Sequence, residues 1–239
     1  MSKFDQQPEI PTCEKCKTRN SSIFKTLTPE EQEKFSEDKG CNFYKRGQIL
    51  FTEGGKPAGI FCIHQGKIKT YKPGNSGREQ IISVSGPGDV LGYGALITNE
   101  SYNASASALE DSVVCFIPKK AFNESIDKNE KLHDRVKTIL CQDVKEAEKQ
   151  MVKISQKQVK ARVAETLLVL KHKFGLKEDG ETLDVNLTRE EFAGIVGTAT
   201  ESVIRLLSGF QKENIIELQN RSIKIKNASE LSKRADLPI

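Results

Sequence analysis

The sequence predicts an α+β chain in three parts: a β-rich sandwich or jelly roll, a long helix, and a C-terminal winged helix-turn-helix. Three observations carry this reading. Between Tyr44 and Pro118, short β-rich runs recur at close intervals with glycine-bearing turns between them. From Glu130 to Ile154 an apolar stripe repeats at alternating steps of four and three. From Leu187 to Lys226 the pattern is helix, glycine turn, helix, short hairpin.

A chain of 239 residues fits one or two domains. With 36% apolar and 29% charged residues it has an ordinary globular balance. It has no apolar run long enough to span a bilayer, and no membrane partner is expected. The opening MSKFDQQPEIP lacks an apolar h-region, so no secretory signal is expected and the implied address is cytoplasmic, with reduced cysteines. The net charge of +4 is too weak to indicate nucleic acid by itself, so local placement of charge must carry that argument.

An N-terminal arm, residues 1–22, carries Cys13-Glu14-Lys15-Cys16. Ser22 to Ser36 reads as a short helical stretch, with Thr28-Pro29-Glu30-Glu31 as its start: an N-cap, Pro at N1 and acids in the first turn. The β-rich sensor region spans 23–126. Its runs are QILF, GIFCIHQ, KIKTY, EQIISVS, DVLGY, ASASAL and SVVCFIP, with turns such as Gly74-Asn75-Ser76-Gly77 and Gly86-Pro87-Gly88-Asp89. The long helix occupies 127–155, and Leu140, Val144, Ala147, Met151 and Ile154 form a heptad seam flanked by Lys145, Glu146, Glu148 and Lys149. Leu132 and Val136 extend the stripe upstream, and part of the stripe can pack along its own β-roll. The seam predicts a partner helix and hence a homodimer. A further helix, Val159 to Phe174, opens the region 156–228 and ends at Gly175; Lys177 to Asp184 reads as a loop or hairpin tip, and the tail 229–239 carries no functional signal.

In the C-terminal region Thr188 and Glu191 have capping-box spacing, and Phe192, Ala193 and Val196 give an apolar helical face. Gly197 supplies the turn. A second helix from about Thr200 to Lys212 backs onto Val203, Leu206, Leu207 and Phe210, with Thr198, Glu201, Ser202 and Arg205 on the opposite face. Ile215–Leu218 and Ile223–Lys226 flank Gln219-Asn220-Arg221-Ser222 as a hairpin wing. This is the arrangement of a recognition helix for double-stranded DNA. A plain helical hairpin with Glu201 and Arg205 as a surface pair would leave the small residues at the tight positions and the wing unexplained.

GQILFTEGGKPAGIFCIHQGKIKTY, GREQIISVSGPGDVLGYGAL and ASALEDSVVCFIP resemble the cyclic-nucleotide-binding-type β-roll of bacterial Crp/Fnr regulators, and LTREEFAGIVGTATESVIRLLSGFQKENIIEL resembles their winged helix-turn-helix. The similarity runs from about Ile23 to Lys226, and its wording is nearest the Fnr branch. The resemblance implies a dimeric transcription regulator on a palindrome with a TGA core. Glu201 and Arg205 would read its central G·C pair, and Ile204, where relatives tend to carry Ser, would meet a thymine methyl. Thr188, Arg189, Thr198, Thr200 and Ser202 would complete the interface, chiefly through phosphates. RNA polymerase is an implied partner if the protein activates.

In cyclic-AMP-binding relatives a Gly-Glu pair holds the ribose and an Arg-Ser pair the phosphate. Here these fall on Gly92-Tyr93 and Tyr102-Asn103, so the resemblance implies the fold without that ligand; Arg78, in a glycine-flanked loop, is expected to be solvated. Fnr relatives hold a [4Fe-4S] cluster through three N-terminal cysteines and one in the β-roll. Cys13, Cys16 and Cys115 match three of these, but Ser22 stands at the third position. The trio is therefore a candidate for a cluster, for zinc, or for a thiol–disulfide pair, and the cofactor is open. Cys41, Cys62 and Cys141 read as small buried hydrophobes, and His64, His133 and His172 suggest no metal site. The rival to a DNA-binding regulator is a ligand-binding regulatory module without DNA. An enzyme is not expected, because no nucleophile elbow, phosphate loop or metalloprotease helix is present.

Overall fold

The computed structural model describes residues 12–74 and 77–236. The first eleven residues of the arm, Asn75-Ser76 of the expected turn, and the last three residues of the tail lie outside the described residues. The chain divides into two compact units: one runs to Tyr71 and resumes over Val84–Val144, and the other takes Lys72–Ser83 and Lys145 onward.

The first unit begins with two 3-10 turns, Arg19–Ser21 and Ile23–Thr26, and helix α1, Pro29–Asp38. The start of α1 is a full capping box, with the Thr28 hydroxyl accepting from Glu31 N–H and the Glu31 carboxylate accepting from Thr28 N–H. The strands of the β-roll are β1 Gly40–Tyr44, β2 Ile49–Phe51, β3 Gly59–Gln65, β4 Ile68–Pro73, β5 Glu79–Ser85, β6 Val90–Leu91, β7 Ser105–Ala108 and β8 Ser112–Pro118, of which β5 as far as Ser83 falls in the second unit. Helix α2, Tyr93–Thr98, lies between β6 and β7; α3, Lys119–Lys128, and α4, Glu130–Gln156, follow β8. One sheet has the order β1-β8-β3-β6 and the other β2-β7-β4-β5. Between them Phe61, Ile63, Leu91 and Val114 meet Ile68, Ala106 and Ala108 in one buried cluster. This is the expected sandwich, and alternation along each strand explains it: Phe61 and Ile63 point inward, Ile60 and Cys62 outward.

The outer face of the first sheet has a cover of its own. Ile60, Val90 and Ile117 pack with Ile23, Phe24, Leu27 and Phe35 from the N-terminal segment, Phe122 of α3, and Leu132 and Val136 of α4. This decides which part of the stripe packs on its own β-roll, and it corrects the seam at Leu140. Leu132 and Val136 are buried in their own unit and Leu140 is half-buried against the same cluster, so the upstream stripe is intramolecular. From Val144 onward the seam is uncovered: Val144 is 59% exposed, Met151 71% and Ile154 50%. The strand β1 and the short α2 were not anticipated. Gly40 to Tyr44 is only five residues long, carries Asn42 and has no clean alternation, and its pairing with β8 defines it.

The second unit holds α5 Val159–Phe174, α6 Arg189–Val196, α7 Thr200–Lys212, the hairpin β9 Ile216–Gln219 and β10 Ser222–Ile225, and α8 Ala228–Arg234. Helix α8, unforeseen in the tail, buries Leu231. Phe192, Val203, Leu207 and Phe210 have no measurable exposure and form the pivot of the unit. Each such side chain contributes about 1.5–3 kcal/mol by leaving water.

Candidate nucleic-acid interface and sensor face

The sequence builds the helix-turn-helix locally. The Thr188 hydroxyl accepts from Glu191 N–H at 3.0 Å and the Glu191 carboxylate accepts from Thr188 N–H at 2.7 Å, fixing where α6 begins. Gly197 ends α6 with φ of +72°, a left-handed conformation that an L side chain rarely adopts, so the chain turns into α7 without strain. Sequence reasoning missed the third support. Arg162 of α5 is buried, and its Nη1 donates to the carbonyls of Val196 at 3.1 Å and Gly197 at 3.4 Å. It satisfies the C-terminal carbonyls of α6, which have no intrahelical donor, with a cation that the helix dipole also favours. A lone Arg in an apolar helix is the signal that could have found it.

On α7, Val203, Leu207 and Phe210 are buried, while Glu201, Ile204 and Arg205 are exposed; Ile204 reaches 47%. Among the described residues Glu201 and Arg205 have no hydrogen-bond or ion-pair partner, so they do not form the surface pair considered above. Thr198, Thr200 and Ser202 are half-buried beside them. Thr188 is occupied as a cap. Arg189 donates from Nη2 to the carbonyl of Asn220 at the wing tip, 3.2 Å away, and its Nη1 has no partner among the described residues. The wing turns at Asn220, with φ of +52°, and Ser222 donates to Asn186 Oδ1 at 2.9 Å. The site is thus an exposed helix face with two opposite charges and an apolar residue between them, flanked by hydroxyls and framed by a wing.

The positions matched to the cyclic-nucleotide anchors, Gly92-Tyr93 and Tyr102-Asn103, sit in the first unit. Tyr102 is buried, and a Cβ placed on Gly92 would come within 3.2 Å of its ring, so the two positions matched to ribose and phosphate anchors are neighbours in the fold. Aromatic rings fill the space around them: Phe51 and Tyr102 lie 4.1 Å apart, Phe51 and Phe61 5.5 Å, and Phe61 and Phe116 5.2 Å between centroids. Tyr93 points to α4, where its hydroxyl donates to the Asp143 carboxylate. Burial, then the bond to Asp143, pushes the Tyr93 hydroxyl well above the usual phenol range, so it stays a donor. Arg78 is exposed.

The cysteines converge on the outer face of the first sheet. Cys41 of β1 is opposite Cys115 of β8, and Cys115 is opposite Cys62 of β3, so the three form one row. Cys41 and Cys115 are joined as a disulfide. This corrects the reading of Cys41 as an inert buried thiol, because Cys41 is half-buried and bonded. Cys62 packs against the buried cluster of that face, in line with the expected small hydrophobe, whereas Cys141 is exposed, which corrects the reading of it as buried. Cys13 N–H donates to Ser36 Oγ at 2.7 Å, placing the CxxC loop on α1, and the Cys16 thiol lies 3.4 Å from His64 Nδ1. Burial, with smaller contributions from Cys16 and Cys13, pushes the Cys62 thiol up to about 12. Burial, then Lys39 and Lys17, lowers the pKa of His64. These residues do not fit a cubane cluster. Ser22, at the expected third ligand, is buried and capping: its Oγ accepts from Phe24 N–H and donates to Arg19 O. Cys115 is committed to Cys41, and among the described residues no three His, Cys, Asp or Glu side chains stand in metal-binding geometry.

A β-roll joined by a long helix to a winged helix-turn-helix with an exposed second helix is the architecture of a two-part DNA-binding regulator. Comparison with known proteins agrees. The cyclic nucleotide-binding domain family matches residues 41–129, and the Crp-like helix-turn-helix domain family matches residues 161–234. The fumarate and nitrate reduction regulatory protein of Vibrio cholerae is 30% identical over 192 residues, covering 80% of this chain and 76% of that protein. The transcriptional activator protein anr of Pseudomonas aeruginosa is 26% identical over 221 residues, covering 92% and 90%. The structure of FixK2 from Bradyrhizobium japonicum superposes with a TM-score of 0.75 at 20% identity, covering 84% of this chain and 99% of that one, a likeness of fold. The chain belongs to the Crp/Fnr family and is a transcription regulator of the Fnr/Anr type with a helix-turn-helix DNA-binding domain. The rival reading, a ligand-binding module with no DNA role, is set aside.

Proposed function

We propose that the protein acts as a homodimer on a palindromic DNA site, read by α7, and that its β-roll senses something other than cyclic AMP. The observation that carries the DNA reading is the exposed Glu201–Arg205 face of α7, unpaired among the described residues, over a fully buried Val203–Leu207–Phe210 back. Arg205 can donate two hydrogen bonds to guanine O6 and N7, and Glu201 can accept from cytosine N4. Ile204 between them suits a thymine methyl. Thr188, Thr198, Thr200, Ser202 and Arg189 are the phosphate contacts in this reading and set register, Arg189 by turning from its bond to the Asn220 carbonyl. The uncovered Val144–Ile154 seam supports the homodimer, whose two-fold axis matches two half-sites. The working division is arm 1–22, sensor 23–126, dimer helix 127–155, DNA-binding domain 156–228 and tail 229–239. The setting is the cytoplasm, with RNA polymerase as partner where the protein activates.

The test is selection of bound sequences from a random duplex pool with wild type and Arg205→Ala side by side. Wild type should enrich a palindrome with a preferred G·C pair in each half-site. Arg205→Ala should bind the best site about 1–3 kcal/mol more weakly and relax preference at that pair alone. Enrichment of the same motif with the same G preference by both proteins would exclude Arg205 as a reader.

A further inference from the structure

The sheet face under the N-terminal segment gathers more sulfur than any other part of the described chain. Cys41, Cys115 and Cys62 occupy three adjacent strands in one register, and the Cys13–Cys16 loop lies over the same cluster of buried residues, with Cys13 packed against it beside Cys62. Opposed residues on antiparallel strands point to the same face, so pairing of β1 with β8 alone brings Cys41 and Cys115 together, with Cα atoms 4.0 Å apart. The two differ in access. Cys41 is half-buried on the edge strand β1, which has only β8 as neighbour, whereas Cys115 is 5% exposed between β1 and β3.

We infer that Cys41 and Cys115 form a reversible, peroxide-responsive disulfide, with Cys41 as the attacking thiol and Cys115 as the resolving one. The Cys41 thiol first ionises to the solvent; its thiolate attacks one oxygen of the peroxide, an S–O bond forms, the O–O bond breaks, and the departing hydroxide takes up the released proton to become water. The Cys115 thiol then attacks the sulfenic sulfur, its proton leaves with the displaced hydroxyl as a second water, and the S–S bond forms. The two thiols give up two electrons and the peroxide accepts them. A cellular dithiol or monothiol reductant reverses the step by exchange. The bond joins residues 74 apart in sequence and ties the edge strand, with α1 immediately before it, to the centre of the sheet. Phe35 of α1 and Leu132 and Val136 of α4 belong to one buried cluster, so the tie acts on the elements that begin the long helix. This is redox chemistry at the residues of the chain itself, in place of the metal cluster that the N-terminal CxxC suggests.

The chemistry requires no DNA and is tested without it, on the full-length protein, reduced and freed of reductant under nitrogen. One equivalent of hydrogen peroxide should remove two of the six thiols. Non-reducing tryptic mass spectrometry should join peptide 40–45 to peptide 79–119, and dithiothreitol should release them. The oxidised protein should melt several degrees higher than the reduced protein. In Cys115→Ser, dimedone should trap a sulfenic acid at Cys41; in Cys41→Ser, Cys115 should give no adduct and the joined peptide should vanish. The inference is overturned if peroxide links only Cys13 to Cys16 while Cys41 and Cys115 stay alkylatable. It is also overturned if the anaerobically purified protein holds iron or zinc that Cys115→Ser removes. Circular dichroism of each variant separates loss of the bond from loss of the fold.

Discussion

Tyr102 stacks on Phe51 with ring centroids 4.1 Å apart and planes 21° from parallel, inside the β-roll and beside Gly92. A cyclic phosphate placed there would lose its water and meet an aromatic face in place of a cation. Cyclic AMP should therefore give no heat by calorimetry and leave DNA affinity unchanged up to millimolar concentration. Saturable micromolar binding would show that another cation has been recruited to the site.

The uncovered half of α4 makes a separate claim. Val144 and Met151 are the most exposed large apolar residues of the seam, at 59% and 71%, and stand seven residues apart, so they share one stripe. Val144→Asp with Met151→Asp places like charges opposite one another across a two-fold axis. The double variant should sediment as a monomer and bind DNA at least tenfold more weakly, while its far-ultraviolet circular dichroism keeps its shape. A double variant that stays dimeric would place the interface elsewhere.

Arg162 holds the end of α6 by donating to the Val196 and Gly197 carbonyls. Arg162→Ala leaves these buried acceptors without a donor, at a cost of about 1.5–3 kcal/mol. The urea midpoint should fall accordingly, and DNA affinity should fall with it because the turn sets the angle between α6 and α7. Arg162→Lys should recover part of both. An unchanged midpoint for Arg162→Ala would mean that water replaces the guanidinium without loss.

How far the sequence alone reached depends on the range over which each feature is decided. Helix starts at Thr28 and Thr188, the turn at Gly197 and the buried stripe of α7 depend on neighbours within four residues, and pattern and capping chemistry fix them before any folding. The strands from Gln48 to Pro118 announced themselves by branched side chains and glycine turns, and the family resemblance followed from those words in order. Glu201, Ile204 and Arg205 were legible as an outer face for the same local reason.

Contacts between residues distant in sequence were another matter. Nothing within four residues of Cys41 marks it as a partner of Cys115, since their meeting depends on which strand β1 chooses and in what register. Arg162 reaches carbonyls more than thirty residues away, and the Arg189 guanidinium reaches the wing at Asn220. The heptad stripe showed that α4 is amphipathic, but only the tertiary structure divided it into Leu132 and Val136, spent on their own core, and Val144 to Ile154, left uncovered. Local hydrogen bonding and periodicity are properties of a segment, so the sequence determined the elements and the polarity of their faces. Register, pairing and burial are properties of the whole chain, and the physical reason they waited for the fold is that each depends on loop closure over tens of residues.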